Sequence, residues 1–223
     1  TRIFVASDGM EKFFPAAKIT VSGNPVRATI ANSGLSREEG IRFFGLDPAK
    51  KTVLSIGGSL GAKSINESLD KAIDEFGLNN LQLIWQTGKP YAARGKERAA
   101  GRPDVWVSDF INQMEYAYAA ADLVISRSGA MAIAELCVTK KAAVFVPFPY
   151  AAEDHQTANA QSLVNKGAGI LIPDREALEK LVPAVVSLSK DETKQESLKR
   201  QIGMLAVANA DEKIATEILK HIG

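Results

Sequence analysis

The residues best suited to chemistry in this chain lie between residues 123 and 160. An apolar β run, Leu123–Ser126, breaks at Arg127-Ser128-Gly129 and continues as a segment of helical composition, Ala130–Val138. Small and hydroxylated residues at a helix start leave backbone N–H groups free to meet an anion or a sugar hydroxyl. Glu135, one turn further in, is placed to accept hydrogen bonds from a vicinal diol.

A second polar cluster follows the next apolar run. Residues 142–146 have strand composition, a loop with two prolines covers residues 147–149, and Glu153, Asp154, His155 and Gln156 come next. The order strand, turn, helix, strand, loop concentrates these polar residues at the carboxyl ends of strands. Open α/β sheets bind their ligands at those ends.

A glycine-rich turn follows an earlier predicted strand. Residues 52–56 form the strand, and the turn reads Gly57-Gly58-Ser59-Leu60-Gly61-Ala62 before a helix that we expect to reach about Phe76. The apolar face of this helix is Ile65, Leu69, Ile73 and Phe76. Such a turn lets the backbone approach a pyrophosphate, which makes Ser59 a candidate phosphate contact, although the spacing is not the dinucleotide fingerprint. The alternative is tight packing of strand on helix without any ligand.

The elements that must position these residues alternate between strand and helix. Further strands are predicted at residues 81–85, 105–107 and 168–172, and a helix over 36–44 has Ser36 as N-cap with Glu39 completing a capping box. Residues 27–207 supply about six strands, enough for one α/β domain with a doubly wound, Rossmann-like parallel sheet. Two helical segments are expected after residue 192, with a break near residues 208–211.

Composition excludes several classes of protein. The 223 residues are 46% hydrophobic and 24% charged with a formal net charge of +1, which is typical of a globular protein and gives no reason to expect a nucleic-acid surface. The single cysteine, Cys137, excludes an internal disulfide and is expected to be a buried small hydrophobe. No apolar run approaches the roughly 18 residues of a membrane-spanning helix. The chain shows no signal peptide, and its opening is interpreted as a cut through a larger protein.

Four motifs carry a resemblance to a known family. In order they are GNPVR at residues 23–27, GGSLGA at 57–62, DFI at 109–111, and SRSGAMAIAE with EDHQTAN between 126 and 159. Together they resemble the donor-binding, C-terminal half of the MurG family, the GT-B transferases of glycosyltransferase family 28 that add N-acetylglucosamine to lipid I in peptidoglycan synthesis. Leu60 departs from the glutamine usual in GGSQGA and is assigned no side-chain role.

The resemblance implies one ligand, UDP-N-acetylglucosamine, and a role for each matching residue. These are Arg27 and Ser59 at the diphosphate, Phe110 stacked on the uracil, the backbone of Ile111 at the edge of the base, Glu135 on the ribose hydroxyls, and the backbone of Ala130 and Met131 with the side chains of His155 and Gln156 at the sugar. From the residues alone, other interpretations stay open. They are a solvated loop arginine at Arg27, a core pair at Phe110 and Ile111, a surface acid at Glu135, and ordinary helix residues at Gln156 and Asn159.

The same resemblance implies a different role for each region of the chain. Residues 1–26 correspond to the end of an acceptor domain and its linker, 27–207 to the donor domain, and 208–223 to a helix that packs back on the acceptor domain. The implied reaction is inverting transfer without a metal or cofactor, with no catalytic residue in this stretch. The general base, the lipid I site and the membrane contact are all expected in the N-terminal domain. The implied location is peripheral, on the cytoplasmic face of the bacterial inner membrane.

Two alternative functions use the same architecture. A UDP-N-acetylglucosamine 2-epimerase needs its own acid and base carboxylates in the cleft, and the sequence shows no such pair beside the sugar site. A binding module acts with a separate acceptor-binding chain, as in the split eukaryotic relative that extends dolichol-linked sugar. Residues 1–26 resemble the end of a first domain, which favours a single-chain enzyme over that module.

Overall fold

A computed structural model describes residues 2–6, 9–58, 60–207 and 209–222. The strands are β1 (Ile3–Val5), β2 (Ile19–Val21), β3 (Lys51–Ile56), β4 (Leu81–Gln86), β5 (Val105–Ser108), β6 (Leu123–Ser126), β7 (Ala142–Phe145) and β8 (Ile170–Leu171). Within the described residues, six of them form a parallel sheet in the order β5-β4-β3-β6-β7-β8. The predicted α/β class and the parallel sheet of about six strands are therefore confirmed.

Helices connect the strands and cover both faces of this sheet. They are α1 (Ala28–Ala31), α2 (Arg37–Phe44), α3 (Lys63–Lys71), α4 (Asp74–Leu78), α5 (Ala92–Ala99), α6 (Met114–Ala120), α7 (Ala130–Val138), α8 (His155–Asn165), α9 (Ala177–Lys190), α10 (Glu192–Gly203) and α11 (Ala210–Ile222). Short 3-10 helices lie at Met10–Lys12, Ala16–Lys18, Lys89–Tyr91, Ala152–Asp154 and Asp174–Glu176.

Two hydrophobic cores lie on opposite faces of the sheet. Consecutive strand side chains point to opposite faces, so the adjacent residues Val53 and Leu54 are both fully buried yet belong to different cores. Helices α2, α6, α7 and α8 contribute to the Leu54 core, and α3, α4 and α9 contribute to the Val53 core. Burial on both faces explains why these strands are continuous apolar runs in the sequence.

A local sequence signal sets the start of α2. The predicted capping box is present, because the Glu39 N–H donates to Ser36 Oγ at 3.2 Å and the Ser36 N–H donates to Glu39 Oε2 at 2.8 Å. The single helix expected to reach about Phe76 is wrong, since α3 ends at Lys71 and α4 begins at Asp74. The four predicted apolar residues are nevertheless buried, because burial constrains the face and not the continuity of the helix. The late break lies between α10 and α11, earlier than expected.

The chain reverses its direction of travel across the sheet between β3 and β6. From β3 it continues outward to β4, whereas from β6 it continues to β7 on the other side. The two strands are neighbours, with Ile56 opposite Ser126 at their carboxyl ends. The segments that leave these ends diverge, which opens a crevice at the switch point of the sheet.

The first residues form a second, two-stranded sheet. Strands β1 and β2 pair in parallel outside the main sheet, and Lys213 Nζ of α11 donates to the Val21 carbonyl oxygen at 2.7 Å. The division at residues 26 and 207 stays a prediction. Among the described residues, no helix has the length and apolar character needed to cross a membrane.

Candidate functional site

A cleft of about 490 Å³ opens at the carboxyl ends of β3, β4 and β6. Its lining comprises Arg27, Ile56, Gly57, Gly58, Leu60, Gly61, Gln86, Phe110, Met114, Ser126, Arg127, Gly129, Ala132, Glu135, Phe148 and Gln156. A smaller cavity of about 330 Å³ adjoins the N-terminal segment and α7 and α8. The larger cleft occupies the switch point, where an open α/β sheet places its ligand.

The turn from β3 to α3 forms one wall of the cleft. Gly61 has φ +74°, and a Cβ atom there would stand 2.0 Å from the carbonyl oxygen of Thr87. Tight packing therefore requires this glycine, as the ligand-free interpretation of the turn proposed. No side chain among the described residues caps the start of α3. Ser59, the candidate phosphate contact, lies outside the described residues.

The turn from β6 to α7 forms the opposite wall. Ser128 Oγ donates to the Gln156 carbonyl oxygen at 2.8 Å, and Asn159 Nδ2 donates to the Ser128 carbonyl oxygen at 3.1 Å. These bonds tie the turn to α8 through the main chain of Gln156 and the side chain of Asn159, so Asn159 is more than an ordinary helix residue. No described side chain caps the start of α7. Its first N–H groups are left with the positive end of the helix dipole.

Arg127 stabilises this second wall by joining it to the loop after β7. Its Nη1 donates to the carbonyl oxygens of Val146 and Pro147, each at 2.9 Å, and pairs with Asp174. Its guanidinium carbon lies 5.5 Å from the centroid of the Phe148 ring. No role was predicted for this arginine from the sequence. Its position directly after a buried strand, at the ligand-binding edge of the sheet, was the available signal.

Glu135 is the single carboxylate among the described residues that line the cleft. Its side chain is 14% exposed, its Oε2 accepts from the Tyr118 hydroxyl at 2.8 Å, and its Oε1 lies 3.8 Å from Arg27 Nη2. Burial, with the charge of Glu135, raises the pKa of Tyr118 well above its ordinary value, so the phenol stays protonated and donates. The interpretation of Glu135 as a solvated surface acid is wrong.

The pair Phe110 and Ile111 divides between the cleft and the core. Phe110 is 47% exposed and lines the cleft, whereas Ile111 is 2% exposed and belongs to the core. The Ile111 N–H donates to Gln86 Oε1 at 3.2 Å, and Gln86 Nε2 donates to the Gly58 carbonyl oxygen at 3.1 Å. Gln86, for which no role was predicted from the sequence, thus joins the Phe110–Ile111 segment to the turn from β3 to α3. The Ile111 N–H is therefore already engaged. A hydrogen bond from the Ile111 backbone to the edge of a base would have to use the carbonyl oxygen, or it would have to break the bond between the N–H and Gln86.

The other residues expected at the sugar lie around the cleft rather than all within it. Gln156 lines the cleft, and its Oε1 accepts from the Phe148 N–H at 3.1 Å. Ala130 lines the smaller cavity, Met131 is exposed, and His155 is exposed with Nδ1 2.7 Å from the Ala152 carbonyl oxygen. Their contact with a sugar stays a prediction.

Arg27 is the cation that faces Glu135 across the cleft. It is the N-cap residue of α1, its side chain is more than half exposed, and it reaches the cleft from the linker that follows β2. In the described parts of the chain, no three His, Cys, Asp or Glu side chains stand close enough to hold a metal ion. Among the described residues, the uncapped starts of α3 and α7 and the side chain of Arg27 are in place to meet an anion.

Comparisons with known proteins agree with this architecture. The sequence model described as "Glycosyltransferase family 28 C-terminal domain" matches residues 52–217. A relative from Parabacteroides distasonis is 48% identical over all of this chain and 61% of its own length, and one from Flavobacterium psychrophilum is 44% identical over 99% and 60%. Both are named UDP-N-acetylglucosamine--N-acetylmuramyl-(pentapeptide) pyrophosphoryl-undecaprenol N-acetylglucosamine transferase. The chain thus spans about three fifths of the length of these relatives.

Solved structures give the same grouping. The crystal structure of Acinetobacter baumannii MurG superposes with a TM-score of 0.71 at 30% identity, covering 93% of this chain and 58% of that chain. The Staphylococcus aureus MnaA–UDP structure (TM-score 0.66, 13% identity, 96% of this chain and 57% of that chain) shows the fold alone. So does the Neisseria meningitidis UDP-GlcNAc 2-epimerase bound to UDP-GlcNAc (TM-score 0.64, 15% identity, 95% and 57%).

Proposed function

The chain belongs to glycosyltransferase family 28, and we propose that it is the donor-binding half of an inverting transferase that moves N-acetylglucosamine from UDP-N-acetylglucosamine to lipid I, giving lipid II. One observation carries the proposal. Among the described residues, the cleft at the switch point has two uncapped helix starts on its walls and a single tethered carboxylate, Glu135, beyond one of them. A nucleotide diphospho-sugar needs anion-binding N–H groups and a diol acceptor in that order along its length.

The nucleoside fits the side of the cleft formed by Phe110 and Glu135. The exposed ring of Phe110 offers a stacking face for the uracil, and the carbonyl of Ile111 is the remaining backbone group for its edge. Glu135 accepts the two ribose hydroxyls through charge-assisted hydrogen bonds. These contacts select a ribonucleotide with a pyrimidine-sized base.

The diphosphate fits between the two turns. The starts of α3 and α7 present backbone N–H groups and positive dipole ends, Arg27 supplies a full positive charge, and Ser59 is a further contact. The sugar then lies toward the start of α8, where Gln156 and His155 face its hydroxyls together with the backbone of Ala130 and Met131. This placement uses no metal ion.

The chemistry of transfer follows from holding the leaving group. The C4 hydroxyl of N-acetylmuramic acid attacks the anomeric carbon from the face opposite UDP, a bond to the acceptor oxygen forms, and the bond to the β-phosphate oxygen breaks. Charge develops on the diphosphate as it leaves, and the two helix starts and Arg27 stabilise that charge. The base that takes the proton of the acceptor hydroxyl belongs to the N-terminal domain of the longer enzyme.

The acceptor defines where the longer protein works. The printed names of the relatives specify a pyrophosphoryl-undecaprenol acceptor, which is a membrane lipid. We therefore place the longer enzyme on the cytoplasmic face of the bacterial inner membrane as a peripheral protein, with lipid I and the membrane contacted by its N-terminal domain.

An epimerase is the second candidate, because two of the structural neighbours act on the same nucleotide sugar or bind UDP. Epimerisation needs an acid and a base beside the sugar. Of the described residues that line the cleft, only Glu135 is a carboxylate, and it is tied to Tyr118. The residues of the cleft therefore favour the transferase.

Calorimetric titration of the purified chain tests the proposal. We expect UDP and UDP-N-acetylglucosamine to bind, UDP-glucose to bind more weakly than UDP-N-acetylglucosamine, and ADP to bind much more weakly than UDP. We expect the same affinities in EDTA and no lipid II from lipid I and donor with this chain alone. Equal affinity for ADP and UDP, or conversion of the sugar by the isolated chain, would contradict the proposal.

A further inference from the structure

The hydroxyl of Tyr118 is a buried polar group that sits directly behind the cleft. Tyr118 is 2% exposed, lies on α6, and packs in the hydrophobic core on that face of the sheet. A phenylalanine would fill the same apolar space, so packing does not account for the oxygen. Buried hydroxyls require a partner, and this one donates to Glu135 Oε2 at 2.8 Å.

Glu135 is held at both carboxylate oxygens. Oε2 accepts from Tyr118, and Oε1 lies 3.8 Å from the Arg27 guanidinium. A glutamate on a helix otherwise exchanges among rotamers, and fixing such a side chain for a ligand costs entropy at the moment of binding. A bond from the rigid core removes most of that cost before the ligand arrives. The lone pairs that remain on the carboxylate then point in fixed directions.

We propose that Tyr118 is a positioning residue for ribose recognition, which acts through Glu135 and sets its carboxylate to accept the 2′- and 3′-hydroxyls of a uridine nucleotide. The inference rests on the proposed function, since it assumes that the cleft takes a ribonucleotide. It goes further by assigning part of the discrimination between ribose and deoxyribose to a residue that does not touch the ligand.

Charge and burial keep Tyr118 in the donating form. The burial of its ring and the nearby Glu135 carboxylate raise the pKa of the phenol, while Arg27 opposes that effect. Because the pKa is raised, the tyrosine stays protonated at every pH at which the fold is ordinarily studied. The positioning bond is therefore always donated by the phenol and accepted by the carboxylate.

A purely structural role for the same hydrogen bond makes a different prediction. If the hydroxyl only satisfies Glu135 inside the fold, its removal lowers stability and weakens every nucleotide alike. If it aims Glu135 at the diol, its removal weakens only ligands that carry the diol. The comparison of UDP with 2′,3′-dideoxy-UDP separates the two roles, because these ligands differ only at the hydroxyls.

The experiment measures the dissociation constants of UDP and 2′,3′-dideoxy-UDP for the parent chain, Tyr118→Phe and Tyr116→Phe. Tyr116 is the matched control, since it lies on the same helix and its ring stacks on Phe43. We expect Tyr118→Phe to weaken UDP about tenfold, the size of one lost hydrogen bond to a charged group. We expect dideoxy-UDP to change less than about twofold, and the control to change neither.

Two outcomes overturn the inference. One is equal weakening of both ligands by Tyr118→Phe, and the other is unchanged affinity for UDP. A parent chain that does not prefer UDP over dideoxy-UDP would instead remove the proposed role of Glu135 and count against the proposed function itself. If Tyr118→Phe does not fold, 3-fluorotyrosine at position 118 keeps the ring and the hydroxyl. Its fluorine resonance should then shift with UDP and not with dideoxy-UDP, and equal shifts would overturn the inference.

Discussion

The two turns that form the walls of the cleft each place a glycine beside the start of a helix, and they differ in what requires that glycine. At the end of β3, Gly61 has φ +74° and no room for a Cβ, which would meet the Thr87 carbonyl oxygen at 2.0 Å. At the end of β6, Gly129 has an ordinary φ of −67°, and a Cβ there would meet no atom within 4 Å. The protein itself requires the first glycine and leaves the second unexplained.

The difference separates a glycine that the fold requires from one that we propose serves a ligand. Gly129 lines the cleft at the start of α7, so the space beside its Cα is the space in which a bound ligand would lie. A glycine whose neighbours do not restrict it, at the start of an uncapped helix, would let a ligand approach the backbone closely. Glycine content alone is therefore weaker evidence for a ligand than glycine in open space.

The two turns also differ in how many side chains hold them in place. The β6 turn is braced on α8 through Ser128 and Asn159, and Arg127 ties the turn to the loop that carries Phe148. The β3 turn is held mainly by backbone packing and by Gln86, which donates to the Gly58 carbonyl oxygen. The second wall is thus a set of side chains that substitution can dissect.

The largest effect is expected from Gly61→Ala. The added methyl collides with a backbone carbonyl at a positive φ, so we expect the free energy of unfolding to fall by about 4 kcal/mol. Gly45→Ala is the control, because Gly45 has a similar φ of +66° with no atom within 4 Å of a built Cβ. Denaturant unfolding should show a loss of about 1 kcal/mol for that control. Similar losses for both variants would show that the missing space for a Cβ at Gly61 adds nothing to the cost of its positive φ. Packing would then not explain the glycine of the first turn.

The next largest effect is expected from Glu135→Gln, on the helix that follows the second turn. An amide cannot accept both ribose hydroxyls with a full charge, so UDP should bind about 30-fold more weakly, a loss of about 2 kcal/mol. Folding should change less than binding, as thermal unfolding would report. Glu115→Gln, on α6 and outside the cleft lining, is the control. Equal dissociation constants for Glu135→Gln and the parent would remove Glu135 from the ligand site.

Local patterns made much of the framework predictable from the sequence. The capping box at Ser36 and Glu39 depends on residues three apart, and the predicted strand Leu123–Ser126 and helix Ala130–Val138 have the observed bounds. Such features are set by neighbours along the chain, which a sequence displays directly. The break between α3 and α4 was missed because the apolar spacing continues across it.

The contacts that finish the site were not predictable in the same way. Tyr118 and Glu135 are 17 residues apart, and Arg127 and Asp174 are 47 apart, so each pair exists only after the helices pack on the sheet. Phe110 and Ile111 are adjacent and both apolar, yet only Ile111 enters the core. The residue pattern alone nominated Glu135 for a vicinal diol, whereas Phe110 was nominated for the ligand only by the family resemblance.

Gly129→Ala tests directly whether a ligand approaches the turn from β6 to α7. The residue has a φ that alanine adopts freely and open space for a methyl, so the free energy of unfolding should stay within about 0.5 kcal/mol of the parent. The methyl points into the cleft, and UDP should therefore bind about tenfold more weakly. Calorimetry with UDP and thermal unfolding check both halves of the prediction. Unchanged affinity would mean that no ligand approaches this turn.

The smallest effect is expected from His155→Gln, at the start of the helix that braces the second turn. His155 Nδ1 lies 2.7 Å from the Ala152 carbonyl oxygen, so Nδ1 carries the proton and donates it to the main chain. Glutamine keeps one donor and one acceptor in this place. We expect the affinity for UDP to be unchanged and that for UDP-N-acetylglucosamine to shift by about threefold, because only the second ligand carries the sugar.

The same substitution in the longer enzyme distinguishes a sugar contact from a catalytic base. A glutamine cannot take a proton from the acceptor hydroxyl, so a variant that keeps its kcat within about threefold of the parent assigns the base to another residue. Loss of kcat by roughly 10²–10⁴-fold with donor binding intact would make His155 the base. In that case the second wall would supply a proton acceptor as well as binding groups. The second turn would then border a catalytic residue, whereas the glycine of the first turn would be explained by packing alone.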